Sequence, residues 1–594
     1  YGTFLGGNGN DSVNDMAIYD DTTHNRSVVY LTGEVASVSF PSPNGNATTP
    51  TILPAGATLG GGSKDVFVTA IDTSATSGNQ MLFVTHIVGN GDDIPHALSV
   101  DGNGNVYIGG ETKSSDLPAS TIAAAGVYQA QNNSVSGTLD GFVAELNSSG
   151  TLQFLTYFGG DGDEIIHGLD TRDVTDANGN ILKTEIVIAG MTRTDNGNLT
   201  GGSNPFPTHG SNPTIVSFSS PADPDPKKFL QNNSGGTPTP TTFDGTQYIG
   251  GCTQGFVARL KGDGTAVEYS SYLGGEGQGN TSNLCTTFSP VPNQGDYDTA
   301  LDVAVDASGR AYVTGQTISP VMFPITKGAY ATRCGAGTGV ASGTSTNSTC
   351  DFSSGGKADV FVTVISADGT TVDYSSYLGG NGQDIAYGID VKDDGSMVFL
   401  TGSTLSVDTS NASSPTKAFP TTLAPRQAIK NNLNDTNNFN PLSDAFLAAL
   451  KPDTGLAQTD QLFYSTYYGA PDARDTGRDV FYDTAAGLVW ITGETQGSLG
   501  VNRQVLFAGT QEPALSATSR PADAQNNLFD QGFVAQIDML QNGQAGVKFA
   551  ALVSGYDTNT GQAGTIMNAA ANDQSRAIAV DQRGRILVAG STQS

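Results

Sequence analysis

The sequence predicts an all-β protein made of seven repeated four-stranded antiparallel sheets. Three observations predict this class: 76 of the 594 residues are Gly, only 14% are charged, and short apolar phrases recur in a fixed order between Gly, Asp and Asn. Such a composition is typical of turn-rich, strand-rich chains. Because 37% of the residues are hydrophobic, the chain has enough apolar side chains to form a core.

Four phrases recur along the chain, and each is four to eight β-branched and aromatic residues long, as expected of a strand. The Gly-x-Thr phrase occurs at 107–112, 187–192, 312–317, 399–404, 490–495 and 587–592, with a weaker copy, YLTGEV, at 30–35 that lacks the Thr. The Val-Asp phrase (DVAVD at 302–306) precedes it, the Phe-Val phrase (DVFVTVI at 359–365) follows it, and the Leu-Gly-Gly phrase (YSSYLGG at 374–380) comes last. The Phe-Val phrase occurs six times and the other three occur seven times.

Strands such as FVTVI are apolar on both faces, which predicts that both faces of each sheet are covered. Four-stranded sheets arranged radially, each packed on its two neighbours, satisfy this requirement, and that arrangement is a β-propeller. The string YSSYLGGNGQDIAYGIDVKDDGSMVFLTGST at 374–404, with FP beyond the Thr and DAFLAAL at 444–450, resembles the SBBP (seven-bladed β-propeller) repeat family. The resemblance implies an exported prokaryotic surface protein and implies no catalytic activity. By likeness to the NHL repeat, the Val-Asp, Gly-x-Thr, Phe-Val and Leu-Gly-Gly phrases form strands a, b, c and d.

A single domain, 1–594, is therefore expected. Its predicted blades lie at about 13–89, 95–160, 166–275, 298–380, 385–470, 476–555, and 575–594 together with 1–7. In the last blade the N-terminal segment supplies outer strand d and closes the ring, so that the closure residues are Tyr1, Phe4, Leu5, Ile586 and Val588. A seventh Phe-Val phrase is missing. Either strand c of this blade lies beyond Ser594, or another molecule donates it.

Most of the extra length falls in the b–c loops, at about 34–64, 113–139, 193–253, 318–358, 405–443 and 496–530. Loops of this length are usually functional or disordered, so we expect the face that bears them to make the important contacts. All four cysteines map to that face. An even count without a CxxC pair indicates two disulfides; Cys334 with Cys350 and Cys252 with Cys285 is the first choice among three possible pairings.

The d–a loops carry acidic motifs, GGNGND at 6–11, GGDGDE at 159–164 and GGNGQD at 379–384. A propeller would bring the acids that end these loops into a ring, which adds Asp93, Asp475 and Asp573 to the set. Clustered carboxylates must be neutralised by backbone N–H groups, by cations or by raised pKa values. Three alternatives stay open: carboxylates satisfied by loop amides, a Ca²⁺ or Na⁺ site, or catalysis. The candidate metal ligands are Asp11, Asp93, Asp163, Glu164 and Asp384.

A formal net charge of −30 disfavours nucleic acid and anionic membrane surfaces as partners. No apolar run is long enough to span a membrane. The sequence has five His, none spaced for metal binding, and no Gly-x-Ser-x-Gly motif with a partnering His nearby, so no catalytic residue is assigned.

The leading hypothesis is an extracellular, non-enzymatic scaffold or adhesion protein, with the polymer subunit as one form, that contacts itself, other surface proteins or glycans. A calcium-assisted glycan-binding module is second and a glycan-active enzyme is third.

Overall fold

A computed structural model of the chain describes residues 2–41, 51–53, 59, 64–75, 79–119, 126–134, 138–160, 162–193, 206–207, 253–274, 298–318, 323–332, 334, 358–406, 419–422, 443–469, 474–496, 530–541, 546–553 and 573–592. The chain divides into two compact units, one made of residues 1–327, 363–375 and 579–586, the other of residues 328–362, 376–578 and 587–594. Nearly all regular structure in the described residues is β-strand, as the sequence predicts.

The first three sheets follow the predicted order of phrases. Blade 1 contains β1 (Asp11–Asp21), β2 (Arg26–Val35), β3 (Thr51–Leu53), β4 (Asp65–Asp72) and β5 (Met81–Ile87) in the spatial order β1-β2-β4-β5-β3. Blade 2 contains β6 (Asp93–Val100), β7 (Val106–Thr112), β8 (Asp140–Leu146) and β9 (Leu152–Phe158). Blade 3 contains β10 (Glu164–Thr175), β11 (Ile181–Thr192), β12 (Gln254–Lys261) and β13 (Val267–Leu273).

The remaining sheets repeat this plan. Blade 4 contains β14 (Thr299–Val305), β15 (Ala311–Thr317), β16 (Asp359–Ile365) and β17 (Val372–Leu378). Blade 5 contains β18 (Asp384–Val391), β19 (Val398–Thr404), β20 (Asp444–Leu450) and β21 (Leu462–Tyr468), with the short helix α1 (Gln458–Gln461) before its last strand. Blade 6 contains β22 (Asp475–Asp483), β23 (Leu488–Thr495), β24 (Gln531–Ile537) and β25 (Val547–Val553). A two-stranded sheet contains β26 (Asp573–Val580) and β27 (Ile586–Thr592).

The prediction of seven four-stranded blades is therefore wrong for the described part of the chain, which forms six. The predicted seventh blade is limited to β26 and β27, which contain Ile586 and Val588. Residues 2–10, with Phe4 and Leu5, form no strand, and Tyr1 lies outside the described residues. The physical reason is that outer strand d pairs with strand c in the other sheets, and no strand c accompanies β27 among the residues described. Closure of the ring stays a prediction.

A half-buried aspartate on strand a ties neighbouring blades together. The carboxylate of Asp170 accepts a hydrogen bond from the backbone N–H of Val305 at 2.9 Å, across 135 residues of sequence. The carboxylate of Asp479 accepts one from the N–H of Ile578 at 2.8 Å. Burial raises the pKa of Asp170 to about 6 and the pKa of Asp479 to about 7. Asp15 and Asp390 make the equivalent contacts to the next blade.

In blades 1 and 5 an FP motif beyond strand b supplies a hydrophobic anchor within the b–c loop. The Phe419 ring packs on Phe446 of strand c, with ring centroids 4.6 Å apart, and Phe40 packs on Phe67 in the same way at 4.8 Å. Both anchoring rings are buried. One point of each of these two loops is thus fixed to its own blade.

Segments that follow these anchors run along the outer strand of the same blade. In blade 2 the N–H of Tyr157 donates to the carbonyl of Gln129 at 2.9 Å, and in blade 5 the N–H of Thr422 donates to the carbonyl of Ser465 at 3.1 Å. In blade 1, β3 pairs with β5 in parallel. The long loops therefore cover sheet edges that would otherwise be open to strand addition.

Truncation of an anchor ring should destabilise the fold. We expect Phe419→Ala to lower the free energy of unfolding by about 3–5 kcal/mol, because it leaves a cavity against Phe446. Phe4→Ala is the matched control, since Phe4 is 79% exposed and should be nearly neutral. Urea denaturation followed by intrinsic fluorescence measures both. Equal effects of the two substitutions would show that the anchor does not pack as described.

Candidate functional site at the blade seams

The acid that ends each d–a loop becomes the first or preceding residue of strand a, and it meets the Thr of the Gly-x-Thr phrase. The two residues face each other across β6 and β7 in the register Asp93↔Thr112. The Thr112 hydroxyl donates to Asp93 Oδ1 at 2.5 Å, and the Thr192 hydroxyl donates to Glu164 Oε1 at 2.6 Å. Two phrases that are separate in sequence thus form one contact.

Sequence reasoning missed one member of this set, Asp298. The Thr317 hydroxyl donates to Asp298 Oδ1 at 2.5 Å, as in the other blades. The long insertion between the Leu-Gly-Gly phrase and strand a hides the loop motif here. Counting four residues back from the Val-Asp phrase would have found it, because Asp298 precedes Asp302 by the same spacing that separates Asp384 from Gly388.

The weak copy of the Gly-x-Thr phrase keeps a second hydroxyl donor to its acid. Val35 occupies the Thr position opposite Asp11. The Ser37 hydroxyl donates to Asp11 Oδ2 at 2.5 Å, as Ser114 does to Asp93 in blade 2, and the N–H groups of Ala36 and Ser37 donate to Oδ1 at 3.0 and 3.1 Å. The N–H of Gly7 adds a further bond at 2.6 Å. The contact is therefore kept although the sequence signature is lost.

Where blades 1 and 2, 2 and 3, and 3 and 4 meet, the strand-a acid lies near the first residue of strand c in the preceding blade; we call each such boundary a seam. The seam between blades 2 and 3 brings Asp140 next to Glu164, and a Cβ at Gly159 would overlap both carboxyls, so only Gly fits between them. The N–H of Glu164 donates to the carbonyl of Leu139 at 2.8 Å, which joins the two blades at this point. Asp140 Oδ2 accepts the N–H of Asn133 at 2.7 Å.

Burial and mutual repulsion shift these carboxyls toward their neutral forms. Burial, followed by the charge of Glu164, raises the pKa of Asp140 to about 8. Burial likewise raises the pKa of Asp93 to about 7, with Asp65 of the preceding blade adding to the shift. Within the described residues Asp140 Oδ1 has no hydrogen-bond donor. A proton on one carboxyl of each pair is the simplest way to satisfy both groups.

Two seams carry an amide in place of the second acid. Gln254 begins strand c of blade 3, and its side chain lies beside Gly274 together with Asp298. Gln531 takes the same position in blade 6. A Gln amide resembles a protonated carboxyl in that it can donate a hydrogen bond without carrying charge. This variation supports the view that the strand-c residue acts as a neutral partner of the strand-a acid.

The predicted metal ligands do not meet in one cluster. Asp163 forms an ion pair with Arg193 at 2.8 Å and accepts the N–H of Leu139 at 3.1 Å. Asp384 accepts the N–H of Gly380 at 2.8 Å and the Ser406 hydroxyl at 2.7 Å. Across the described ranges no group of three or more His, Cys, Asp or Glu side chains is arranged to hold a metal ion. The contacts agree with the alternative of carboxylates satisfied by loop amides and hydroxyls, and calcium stays a prediction.

The histidines and the cysteines add little to this site. His86 is buried edge-on against Phe40, and burial lowers its pKa to about 4. His96 and His167 lie 5.5 Å apart by ring centroids at the bulges of neighbouring strands a, and burial lowers the pKa of His167 to about 3. Cys334 is buried. Cys252, Cys285 and Cys350 lie outside the described residues, so the disulfide pairing stays a prediction.

The role of the second hydroxyl donor in blade 1 can be tested directly. We expect Ser37→Ala to destabilise the protein by roughly 1–2 kcal/mol, because Asp11 loses a hydroxyl donor. Adding Val35→Thr to Ser37→Ala should recover most of that loss, since the introduced hydroxyl would stand where the other blades place theirs. The melting temperatures of the parent, the single variant and the double variant measure this effect. If the double variant melts no higher than Ser37→Ala, a hydroxyl at position 35 cannot replace the one at position 37.

The acid pair predicts a pH dependence of stability. The pKa of Asp140 is raised in the folded state to about 8, whereas in the unfolded chain it is about 3.9. The folded protein therefore holds a proton that the unfolded chain releases, and this group's contribution to stability falls as the pH rises from about 4 to about 8. Asp140→Asn does not titrate, so it should gain stability relative to the parent at pH 8 compared with pH 4.5.

The measurement is the difference in melting temperature between variant and parent across that range. Asp393→Asn, at an exposed position, controls for the change in net charge. A variant that is less stable than the parent by the same amount at every pH would contradict a neutral Asp140.

Comparison with known proteins identifies a repeat family that matches one segment of the chain. Residues 83–118, which span β5 to the start of the second b–c loop, match the family described as SBBP, a β-propeller repeat. No curated protein matches the sequence. Among solved structures, Sqt1 from Chaetomium thermophilum is similar at 10% identity and a TM-score of 0.34, covering 99% of this chain and 94% of that one. The tricorn protease is similar at 10% identity and a TM-score of 0.25, covering 95% of this chain and 43% of that one.

Such low TM-scores carry no argument about function. The SBBP match confirms, for residues 83–118, the resemblance predicted from the phrases: this segment matches the SBBP β-propeller repeat.

Proposed function

We propose that the chain is an extracellular, non-enzymatic interaction scaffold that makes its contacts through the b–c loops. A β-propeller fold is suited to a protein-interaction scaffold. The observation that carries the proposal is that the b–c loops leave the sheets at one end, beside the buried seam acids, and are anchored there by rings such as Phe419.

The opposite end of the sheets offers little to a partner. In the a–b turn of blade 2, Asp101 Oδ1 accepts the N–H groups of Asn103 and Asn105 at 2.9 and 2.8 Å. Asp306 accepts the N–H groups of Ser308 and Arg310 in the same way at 2.9 and 3.0 Å. These turns satisfy their own polar groups, so their sequence is explained by local structure.

The nature of the surface limits the classes of partner. With 57 acidic against 27 basic residues, the chain should repel nucleic acid and anionic lipid. Within the described residues, no helix has the length and hydropathy needed to cross a membrane. Self-association and contacts with other surface proteins or glycans fit this charge balance best, with a polymer subunit as one form of the scaffold.

A calcium-assisted glycan-binding module is the second candidate. The paired carboxyls of Asp140 and Glu164 favour it, because two acids in contact can share a cation as well as a proton. The two candidates differ in their response to a chelator. The scaffold should keep its melting temperature in EDTA, whereas the calcium module should lose several degrees and should bind an immobilised polysaccharide only with calcium.

The loop proposal predicts loop-dependent self-association. Replacement of residues 497–529 by a short Gly-Ser linker should weaken self-association by about tenfold or more in sedimentation velocity, if interface energy is concentrated in loop residues. The matched control inserts the same linker into the a–b turn at Asn103, and it should associate like the parent. Unchanged association of the loop variant, or polysaccharide retention that is abolished by EDTA, would favour the second candidate instead.

A further inference from the structure

An aromatic trio attaches the b–c loop to its own sheet in blades 3 and 5. It consists of the Phe of an FP motif in the loop, the Phe of strand c, and the strand-d residue that faces that Phe. In blade 5, Phe419 lies 4.6 Å from Phe446 and 6.1 Å from Tyr467 by ring centroids, and Phe446 faces Tyr467 in the register. Blade 3 repeats the arrangement with Phe206, Phe256 and Tyr272.

Blade 1 has a histidine where these trios have a tyrosine. His86 faces Phe67 in the register of β4 and β5, and its ring lies 5.3 Å from the Phe40 ring at an interplanar angle of 90°. Phe40 in turn lies 4.8 Å from Phe67. Of the three rings in this trio, the imidazole is the one that can gain a charge near neutral pH.

The strand-d tyrosines show what a polar group at this position does in other blades. The Tyr157 hydroxyl donates to the carbonyl of Ser114 at 3.1 Å and accepts the N–H of Leu117 at 3.0 Å. The Tyr467 hydroxyl donates to the carbonyl of Ser406 at 3.3 Å. These bonds tie the start of the b–c loop to strand d. An imidazole does not extend as far as a phenol, and among the described residues neither ring nitrogen of His86 has a hydrogen-bond partner.

The surroundings of His86 favour a neutral ring. The side chain is fully buried, so a proton on it would create a charge without solvation. Burial lowers the pKa of His86 to about 4 and outweighs the charge of Asp11 on β1, which acts in the opposite direction. The residues that face His86 from the loop and from β4 are Phe40 and Phe67, and its register partner on β3 is Ile52. None of these three residues can balance a charge.

The carboxylate of Asp11 is already occupied by the loop that packs on His86. It accepts the Ser37 hydroxyl at 2.5 Å and the N–H groups of Ala36 and Ser37 at 3.0 and 3.1 Å. A protonated imidazole could pair with Asp11 only by displacing these donors. Both ways of stabilising a proton on His86, contact with water and an ion pair with Asp11, therefore detach the start of the loop.

We propose that His86 makes the attachment of the first b–c loop to blade 1 sensitive to acid. With a neutral imidazole, Phe40 stays packed on His86 and Phe67. Protonation of the ring releases residues 36–41 from the sheet, while the other blades keep their loops attached. The consequence for contacts rests on the proposed function, because acid would then change the contact surface at blade 1.

Hydrogen exchange of the Ala36 and Ser37 amides, corrected for the intrinsic rate at each pH, measures the release. The open loop binds a proton with the ordinary His pKa of about 6.5, whereas the attached loop binds it with a pKa of about 4. The attached form therefore loses stability as the pH falls from about 6.5 to about 4. Protection should fall about 20-fold between pH 7 and pH 5. The equivalent amides of blade 5, Leu405 and Ser406, should not show this fall.

Two variants remove the titrating ring. His86→Tyr introduces the residue of blades 2, 3 and 5, and His86→Leu introduces the residue that faces strand c in blade 6. Either variant should keep the same protection of Ala36 and Ser37 at pH 5 as at pH 7. His24→Tyr is the matched control, because His24 is exposed in the a–b turn, and it should keep the pH dependence of the parent.

Three results would overturn the proposal. They are equal protection of Ala36 and Ser37 at the two pH values in the parent, the same fall in the His86 variants as in the parent, and an equal fall at Leu405 and Ser406. The second result would assign the pH dependence to Asp11, and the third to unfolding of the whole chain. All of these measurements use the chain without a partner, so their failure leaves the proposed role of the b–c loops to its own test at residues 497–529.

Discussion

The structure depends on a small polar contact that recurs at the start of strand a in successive blades. The side chain of the strand-a acid accepts a hydroxyl from the end of strand b, while its backbone N–H donates to a carbonyl that precedes strand c of the previous blade. Asp93 shows both parts, with Thr112 at 2.5 Å and the carbonyl of Lys64 at 2.8 Å. The same residue thus fixes the register within one sheet and the position of the sheet before it.

This contact explains why acidic residues persist in a buried place. An isolated buried carboxylate is costly, and it is tolerated when donors surround it or when it holds a proton. Both conditions are met here: hydroxyls and backbone amides donate to the strand-a acid, and the facing residue of strand c is Asp140, whose pKa is raised, in blade 2 and a Gln in blades 3 and 6. The large negative charge of the chain is therefore not all on its surface, since part of it is neutralised at the seams.

The seams hold the blades together, whereas the b–c loops are the part that we associate with function. The blade interiors, the a–b turns and the covered outer edges are explained by their own contacts. What those contacts leave unexplained is the length of the b–c loops, which are polar and rich in Gly, Ser, Thr and Asn. Function is best sought there.

The sequence alone determined the strand type, the order of four phrases per blade and the number of copies of each, because a strand is encoded locally by its apolar residues and its flanking turns. It also predicted that d–a loop acids such as Glu164 would matter. Only the tertiary structure decided that Thr192 would satisfy Glu164, that Asp140 of the preceding blade would face it, and that Asp170 would clamp Val305 from 135 residues away. These contacts join phrases of different blades, and no local pattern records which residue a strand will meet once the sheets pack. The number of complete four-stranded blades differed from the predicted seven for the same reason. An outer strand such as the one predicted at residues 1–7 forms only where a strand c is present to receive its hydrogen bonds.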